Sequence, residues 1–238
     1  GELTVAGLER PVVIHRDAWG VPNVYAQTDH DLFFAQGFVH AQERFWQMDF
    51  WRHIGSGRLS EMFGDGQVET DIFLRSLGFA DLAERELETM SSENREVLEW
   101  YAEGVNAYIG DRRGAELSLE YAVLGLQNSS YEVEPWTPVH TLTWAKLMSW
   151  DLSSNLGDEI ERALLARTIP AERLAEIYPP YPEDRPVIVE GDDEVSPESN
   201  TTMPDGSIPA LRRANGLVRQ VYDLTGGGFD GIGSNSWV

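Results

Sequence analysis

A single helical pattern dominates the N-terminal part of this sequence, from about residue 28 to residue 54. Apolar residues recur there at the spacing of one helix face, and others widen that face: Phe34, Phe38, Ala41, Phe45 and Met48, then Leu32, Ala35, Val39, Trp46 and Phe50. So broad an apolar surface predicts a buried helix. Thr28, with an acid in the first turn at Asp31, predicts where the helix begins.

The segments around this helix predict a small hairpin and several more helices. Residues 11–15 and 21–26 read as two short strands with a turn between them. Residues 117–126 are ambiguous between helix and strand. A helix opened by the prolines at 135 and 138 breaks near 152–155, and the remaining helices are predicted at 70–77, 79–90, 92–109 and after the break.

Composition fits a folded globular protein and excludes some partners. Hydrophobic residues make up 42% of the 238 residues, and eight are Trp. The formal net charge of -22 argues against nucleic-acid binding, which needs clustered cations. The sequence has no Cys, hence no disulfide framework and no thiolate metal site. We expect no membrane-spanning segment, and we expect that any signal peptide has already been removed before Gly1.

Two polar residues of the long helix, His40 and Glu43, have the spacing of a metal-binding pair. A dinuclear carboxylate site needs partner Glu and His residues on other helices, and no matching motif occurs in the sequence. We therefore predict that both are core or supporting groups.

The amino-acid composition changes after residue 178. The stretch to about residue 206 is polar, acidic and broken by prolines, a composition typical of a linker. A linker of this length inside a domain indicates processing or function. A short, locally basic amphipathic segment follows at 208–222.

The tail at 226–238 reads GGGFDGIGSNSWV and allows two interpretations. It is either an ordinary surface loop or a self-cleaving junction between Gly233 and Ser234. In the second case the Ser234 hydroxyl attacks the preceding carbonyl, and hydrolysis of the ester frees an α-amine. An N-terminal Ser then carries nucleophile and base on one residue. The tail alone does not decide between the two.

Four motifs in order resemble the penicillin acylase family of N-terminal-nucleophile hydrolases. They are VIHRDAWGVPNVYA at 13–26, DLFFAQGFVHAQERFWQMD at 31–49, GRLSE at 57–61 and GSNSWV at 233–238. The resemblance covers residues 11 to about 180 and the tail, and it leaves the linker unmatched. It favours the self-cleaving junction at Ser234.

The resemblance implies an α+β fold, the four-layer αββα sandwich, of which this chain supplies the mainly helical α-chain part. It implies an α chain at 1–186, a spacer at 187–233 and the start of a β chain at 234–238, so we expect a truncated precursor that is inactive alone. The implied reaction is amide hydrolysis through an acyl-Ser intermediate. Implied acyl groups are those of penicillins or cephalosporins, N-acyl-homoserine lactones and lipopeptides.

Site residues follow from the same resemblance. Ser234 is the implied catalytic nucleophile, and Gly233 and Ser234 form the autocleavage site. Met148 and Leu152 match acyl-pocket positions, although Leu152 stands where an aromatic residue is common. Glu159 matches a calcium ligand whose partners lie in the β chain, and the spacing from Met148 is one residue longer than in penicillin G enzymes.

The implied partners are the chain's own β chain, as a heterodimer, and a small-molecule acyl amide. The implied cofactor is structural calcium, with no organic cofactor, and the implied location is periplasmic or secreted. Neither nucleic acid nor membrane is expected as a partner. A rival hypothesis is a non-catalytic, acidic helical interaction protein that keeps the α-chain shape. A carboxylate-pair glycosidase is a lesser rival, because no two acids are singled out by context.

Overall fold

A computed structural model describes residues 1–153, 155–179 and 206–225 of the chain. These residues divide between two compact units, 1–151 and 152–238. The described part is mainly helical and contains one hairpin. Its elements are β1 (Val13–Arg16), β2 (Pro22–Tyr25), α1 (Asp29–Ser56), α2 (Leu59–Phe63), α3 (Val68–Leu77), α4 (Phe79–Thr89), α5 (Ser92–Ile109), α6 (Leu119–Gln127), α7 (Pro138–Ser153), α8 (Asn155–Leu165), α9 (Ala171–Ile177) and α10 (Ser207–Thr225).

The predicted hairpin is confirmed. Strands β1 and β2 pair antiparallel, with Val13 opposite Tyr25. The carboxylate of Asp17 accepts hydrogen bonds from the backbone N–H groups of Trp19 (2.8 Å) and Val21 (2.9 Å). Asp17 therefore builds the turn between the strands, which is a structural role.

The long helix α1 begins and ends as the sequence predicts. Thr28 caps it, and its side-chain oxygen accepts the backbone N–H of Asp31 at 3.1 Å. The buried carboxylate of Asp31 accepts the backbone N–H groups of Glu9 (2.8 Å) and Arg10 (3.0 Å), which ties the N-terminal segment to the helix. At the other end Gly57 takes a left-handed conformation, with φ of 60°.

Helices α1 and α5 cross at very short range. A Cβ placed on Gly104 of α5 would overlap the Phe34 carbonyl, and one on Gly37 of α1 would overlap the Tyr101 carbonyl. Two glycines thus let the two backbones meet where any side chain would keep them apart. Around this crossing lies the hydrophobic core: Phe38, Ala41, Phe45, Met48, Met62, Ala102, Val105, Tyr108, Ile109, Leu117, Tyr121, Leu124 and Trp136.

A charged cluster is buried next to this core. The Asp49 carboxylate is fully buried and accepts hydrogen bonds from Arg52 Nε (2.7 Å), the Tyr121 hydroxyl (2.5 Å) and the Tyr131 hydroxyl (2.7 Å). Arg52 also donates to the backbone carbonyl of Glu134 at 3.0 Å. Despite burial, the side-chain hydrogen bond with His53 and the cationic neighbour Arg52 hold the pKa of Asp49 well below its usual range. The Asp49 carboxylate is therefore ionised, and its oxygens have hydrogen-bond partners.

The second unit contains the helices on either side of the predicted linker. Helix α8 contacts α10, whose Val218 and Val221 are fully buried. The amphipathic pattern at 208–222 therefore forms a helix, and this helix lies inside the segment predicted as spacer. The predicted boundaries at 186, 187, 233 and 234 stay predictions.

The described residues contain a two-stranded sheet, so the four-layer sandwich also stays a prediction. None of the described helices is long and apolar enough to cross a membrane.

Candidate functional site

A largely apolar cleft of about 540 Å³ opens on the first unit, between α1, α5 and α7. Two methionines and two tryptophans supply much of its apolar wall, while polar side chains of α1 line one side. Its lining consists of Phe33, Gln36, His40, Arg44, Gln47, Met48, Val97, Leu98, Tyr101, Trp136, Thr141, Trp144 and Met148.

A bend in α1 shapes the polar side of the cleft. Arg44 leaves the helical conformation, with φ of -140° and ψ of 19°, and marks a kink within α1. His40 lies before this kink and Gln47 after it, and both side chains line the cleft.

Hydrogen bonds fix the position of Trp136 in the wall of the cleft. The side-chain oxygen of Asn106 on α5 accepts the backbone N–H of Trp136 at 2.7 Å, and the Asn106 amide donates to the Trp136 carbonyl at 2.9 Å. The Trp136 indole N–H donates to Thr141 at 2.9 Å. The guanidinium of Arg52 lies 5.4 Å from the ring centre, a cation–π contact from the buried cluster.

The polar residues that line the cleft carry amides, hydroxyls, an imidazole and the charged guanidinium of Arg44. His40 Nδ1 lies 3.0 Å from the Tyr101 hydroxyl. Burial raises the pKa of Tyr101 to about 12. Partial burial in the cleft wall and the nearby Arg44 cation lower the pKa of His40, although its side chain keeps contact with solvent. The buried indole N–H of Trp144 has no hydrogen-bond acceptor among the described residues.

An apolar cleft with a few fixed polar groups suits an apolar small molecule that carries a hydrogen-bond acceptor. The His40 ring and the Tyr101 hydroxyl are hydrogen-bonded to each other, and either group could exchange this bond for one that orients a bound ligand. The Trp144 N–H is buried and has no acceptor among the described residues, in an apolar surround where a hydrogen bond is strong.

Sequence reasoning predicted one residue of this cleft and missed others. Met148 is among its lining residues, and the contact of Met148 with an acyl group stays a prediction. His40 was predicted as a core or supporting group, but it is exposed and faces the cleft. Glu43 is exposed and forms an ion pair with Arg16 of the hairpin. The residues on both sides of His40, Val39 and Ala41, are buried. Because successive residues of a helix point about 100° apart, the apolar stripe alone does not show which way the His40 side chain points.

The structure does not test the other predicted site residues. Leu152 belongs to the second unit and is 52% exposed. Gly233 and Ser234 lie outside the described residues. Their roles stay predictions.

Glu159, the predicted calcium ligand, is exposed on α8, and its carboxylate accepts a 2.5 Å hydrogen bond from Asn155. Calcium prefers six to eight oxygens, so the described residues at this position do not form a complete site. Within the described part of the chain, one other group has metal-like spacing, Glu9, His30 and Asp31. There the Asp31 oxygens already accept backbone N–H groups. The single exposed carboxylate of Glu159 is compatible with a calcium site whose other ligands come from the rest of the protein.

The fold is similar to that of a solved penicillin acylase chain. The structure matches the thermostable penicillin G acylase from Alcaligenes faecalis with a TM-score of 0.58 and 25% identity. The match covers 76% of this chain and 97% of that chain.

Sequence comparison gives the family. A sequence model described as penicillin amidase matches residues 11–238, and the chain belongs to the penicillin amidase family. It is 33% identical to an acyl-homoserine lactone acylase, QuiP, of Pseudomonas aeruginosa, across all of this chain and 27% of that protein. It is 32% identical to the penicillin acylase 2 proenzyme of Pseudomonas sp. strain SE83, across all of this chain and 29% of that protein. The chain thus spans between a quarter and a third of the length of these relatives.

Proposed function

We propose that this chain is the N-terminal part of a self-processing amidohydrolase of the penicillin acylase type, with Ser234 as its nucleophile. The observation that carries the proposal is the family match over residues 11–238, which extends through the GSNSWV tail. Both relatives described above are named acylases, and one is named a proenzyme. Because the chain spans a minority of their length, the activity is proposed for the whole protein.

Maturation would begin at the tail. The Ser234 hydroxyl oxygen attacks the Gly233 carbonyl carbon, the Gly233–Ser234 C–N bond breaks, and the nitrogen takes up a proton as a free amine. Water then hydrolyses the new ester, which leaves a carboxylate on Gly233 and an N-terminal Ser234. Gly233 carries no Cβ to crowd the attack, and a glycine can adopt backbone conformations closed to other residues.

The mature Ser234 would then act on the substrate amide. Its neutral α-amine takes the hydroxyl proton through a water, and the oxygen attacks the amide carbonyl carbon. The substrate C–N bond breaks, the amine leaves with a proton, and the acyl group stays on Ser234 as an ester. Water hydrolyses this ester and restores the serine. The oxyanion donors that this chemistry needs are expected in the rest of the protein.

The cleft supports the choice of an apolar acyl group. We assign acyl contacts to Met148 and Leu152, and the support from geometry is the place of Met148 in a wall shared with Trp136 and Trp144. Penicillins or cephalosporins, N-acyl-homoserine lactones and lipopeptides are the proposed substrate classes.

The remaining proposals concern assembly. The chain would pair with its own β chain as a heterodimer after processing, in the periplasm or outside the cell, and complete the αββα sandwich. Glu159 would give one carboxylate to a calcium ion whose role is structural, with no organic cofactor.

Activity of the complete protein tests this proposal. Release of free amine from benzylpenicillin and from an N-acyl-homoserine lactone should be measured for wild type, Ser234→Ala and Ser236→Ala. Ser234→Ala should abolish release, whereas Ser236→Ala, which removes a hydroxyl two residues away, should keep it. Wild-type activity should fall as pH drops through the α-amine pKa, about 7.7–8.0 in model peptides. An active Ser234→Ala enzyme would refute the proposal.

A further inference from the structure

One face of α1 supplies the polar side of the cleft. Its lining residues are three or four positions apart, which is the spacing of one helix face: Phe33, Gln36, His40, Arg44 and Gln47. All of them except Phe33 are exposed. The walls contributed by α5 and α7 are mainly apolar. A ligand in this cleft would therefore contact an apolar surface along most of its length and polar groups on one side.

The charge of the cleft lining differs from that of the whole chain. The sequence has 40 acidic and 18 basic residues. Among the described residues that line the cleft, Arg44 is the one cation and none is acidic. The net charge of -22 repels anions at a distance, but salt screens such interactions over about 8–10 Å. Inside the cleft the nearby guanidinium therefore favours a negatively charged group.

The Arg44 guanidinium keeps donors for such a group. A guanidinium carries five N–H donors. Within the described part of the chain, Nη1 of Arg44 donates to the side-chain oxygen of Gln47 at 3.4 Å, which is long for a hydrogen bond. Arg44 forms no ion pair with a described acid, and the neighbouring Glu43 pairs with Arg16 instead. A carboxylate can accept two parallel N–H bonds from a guanidinium in this state.

We propose that Arg44 is a specificity-determining residue: its guanidinium binds a carboxylate at the end of the acyl group, while the acyl chain lies against the apolar walls of the cleft. The favoured substrate is then a half-amide of a dicarboxylic acid. This inference rests on the proposed function. It places the carboxylate on the acyl group because Met148, the proposed acyl contact, lines the same cleft.

The chemistry of the contact gives the expected size of the effect. A hydrogen bond to a charged group changes an equilibrium constant by roughly 10- to 100-fold. Arg44 is exposed, so water competes for its donors. We therefore expect the lower end of this range, a preference of about tenfold for the carboxylate.

A pair of substrates measures this preference in the complete protein. Adipoyl 4-nitroanilide carries a carboxylate at the end of its acyl chain, and its carboxamide analogue has the same length without the charge. For the wild type, kcat/KM should be about tenfold higher for the carboxylate. A ratio close to one would overturn the proposal.

Variants of Arg44 identify the charge responsible. Arg44→Gln should bring the ratio close to one, and Arg44→Lys should keep part of the preference. Arg44→Glu should make an analogue whose acyl chain ends in an ammonium group the better substrate, a result that lost packing alone does not predict. Arg85→Gln is the matched control, because Arg85 is exposed on α4 outside the cleft, and it should keep the wild-type ratio. A wild-type ratio in Arg44→Gln would remove Arg44 from the proposal.

A second pair of substrates shows which part of the molecule carries the recognised carboxylate. The hexanoyl amides of 4-nitroaniline and of 5-amino-2-nitrobenzoate differ by a carboxylate on the amine part. The ratio of their kcat/KM values should be the same in the wild type and in Arg44→Gln. If this ratio depends on Arg44 and the adipoyl ratio does not, the assignment to the acyl group is wrong.

Binding without turnover separates this inference from the proposed function. Hexanoate and hexan-1-ol share an apolar chain and differ in charge, and the fluorescence of Trp136 and Trp144 in the cleft wall reports their binding. Hexanoate should bind the complete protein about tenfold more tightly than hexan-1-ol, and Arg44→Gln should remove the difference. If no amide is hydrolysed but this difference is found, the proposed function fails and the carboxylate site stands. Equal binding of the two probes to the wild type would overturn the site, a comparison that holds even if Arg44→Gln folds poorly.

Discussion

The buried cluster around Asp49 gives a quantitative prediction. Replacing Asp49 with Ala removes the carboxylate that pairs with Arg52, whose side chain is 1% exposed. The same change removes the acceptor for the hydroxyls of Tyr121 and Tyr131. Arg52 keeps its bonds to the backbone carbonyls of Glu134 and Pro135 and a longer contact, 4.0 Å, with the partly exposed Glu134 carboxylate, but its charge loses its buried counterion.

The expected cost is large relative to the stability of a domain. Breaking a buried ion pair by removing one partner costs about 3–5 kcal/mol, because an uncompensated charge stays buried. A domain is stable by roughly 5–15 kcal/mol in total. The two stranded hydroxyls add to the cost, though not additively. Asp49→Ala should therefore lower the free energy of unfolding by about 3–5 kcal/mol.

Urea unfolding followed by tryptophan fluorescence provides the assay, since Trp136 lies next to Arg52. Glu61→Ala is the matched control. It removes an acid from an ion pair with Arg58 of similar length, 2.6 Å, whose side chains are 28% and 47% exposed, so its loss should cost under about 1 kcal/mol. Replacing Asp49 and Arg52 together by apolar residues should recover part of the loss. A cost for Asp49→Ala no greater than that of Glu61→Ala would refute the reasoning.

Three further predictions concern packing, pH and calcium. Gly104→Ala should destabilise the chain by about 3 kcal/mol or more in urea unfolding, because its Cβ overlaps a backbone carbonyl; Gly125→Ala, in open space on a helix, should be neutral or stabilising. Burial, then the nearby Arg52 cation, lowers the pKa of His140 to about 4, so between pH 6.5 and 4 the unfolded chain binds a proton that the folded chain does not. The free energy of unfolding should therefore decrease as the pH is lowered from 6.5 to 4, and His140→Gln should reduce this decrease. Equal pH slopes for the wild type and His140→Gln would contradict the prediction. Calcium should raise the Tm of the complete enzyme, Glu159→Ala should abolish the rise and Asp158→Ala should keep it; a rise unchanged by Glu159→Ala would remove Glu159 as a ligand.

Local patterns made the hairpin and the main helices predictable. Thr28 and Asp31 marked the start of α1, and the stripe from Phe34 to Met48 marked its buried face. The α6 region was ambiguous because apolar residues lie on both of its faces, as the exposed Leu119 and Leu126 show.

Contacts between residues far apart in the sequence could not be predicted from such local patterns. Asp49 gains its hydroxyl donors from residues 72 and 82 positions further along the chain, and no local spacing signals that pairing. The helical period of 208–222 predicted an amphipathic segment, but its contact with α8 depends on how the chain folds back. The cleft residues His40, Tyr101 and Trp144 come from three helices, and the resemblance pointed to Met148 alone.

The central claim is that Ser234 cuts the chain and becomes its new N-terminus. Intact-mass and N-terminal analysis of the complete protein, expressed as wild type and as Ser234→Ala, tests it most directly. The account predicts a wild-type β chain that begins with Ser234 and a Ser234→Ala protein that remains one uncut precursor. Ser234→Cys should still be cut, since a thiol can make the same shift, but should turn over poorly. A mature chain that begins at any other residue, or a cut Ser234→Ala protein, would contradict the account.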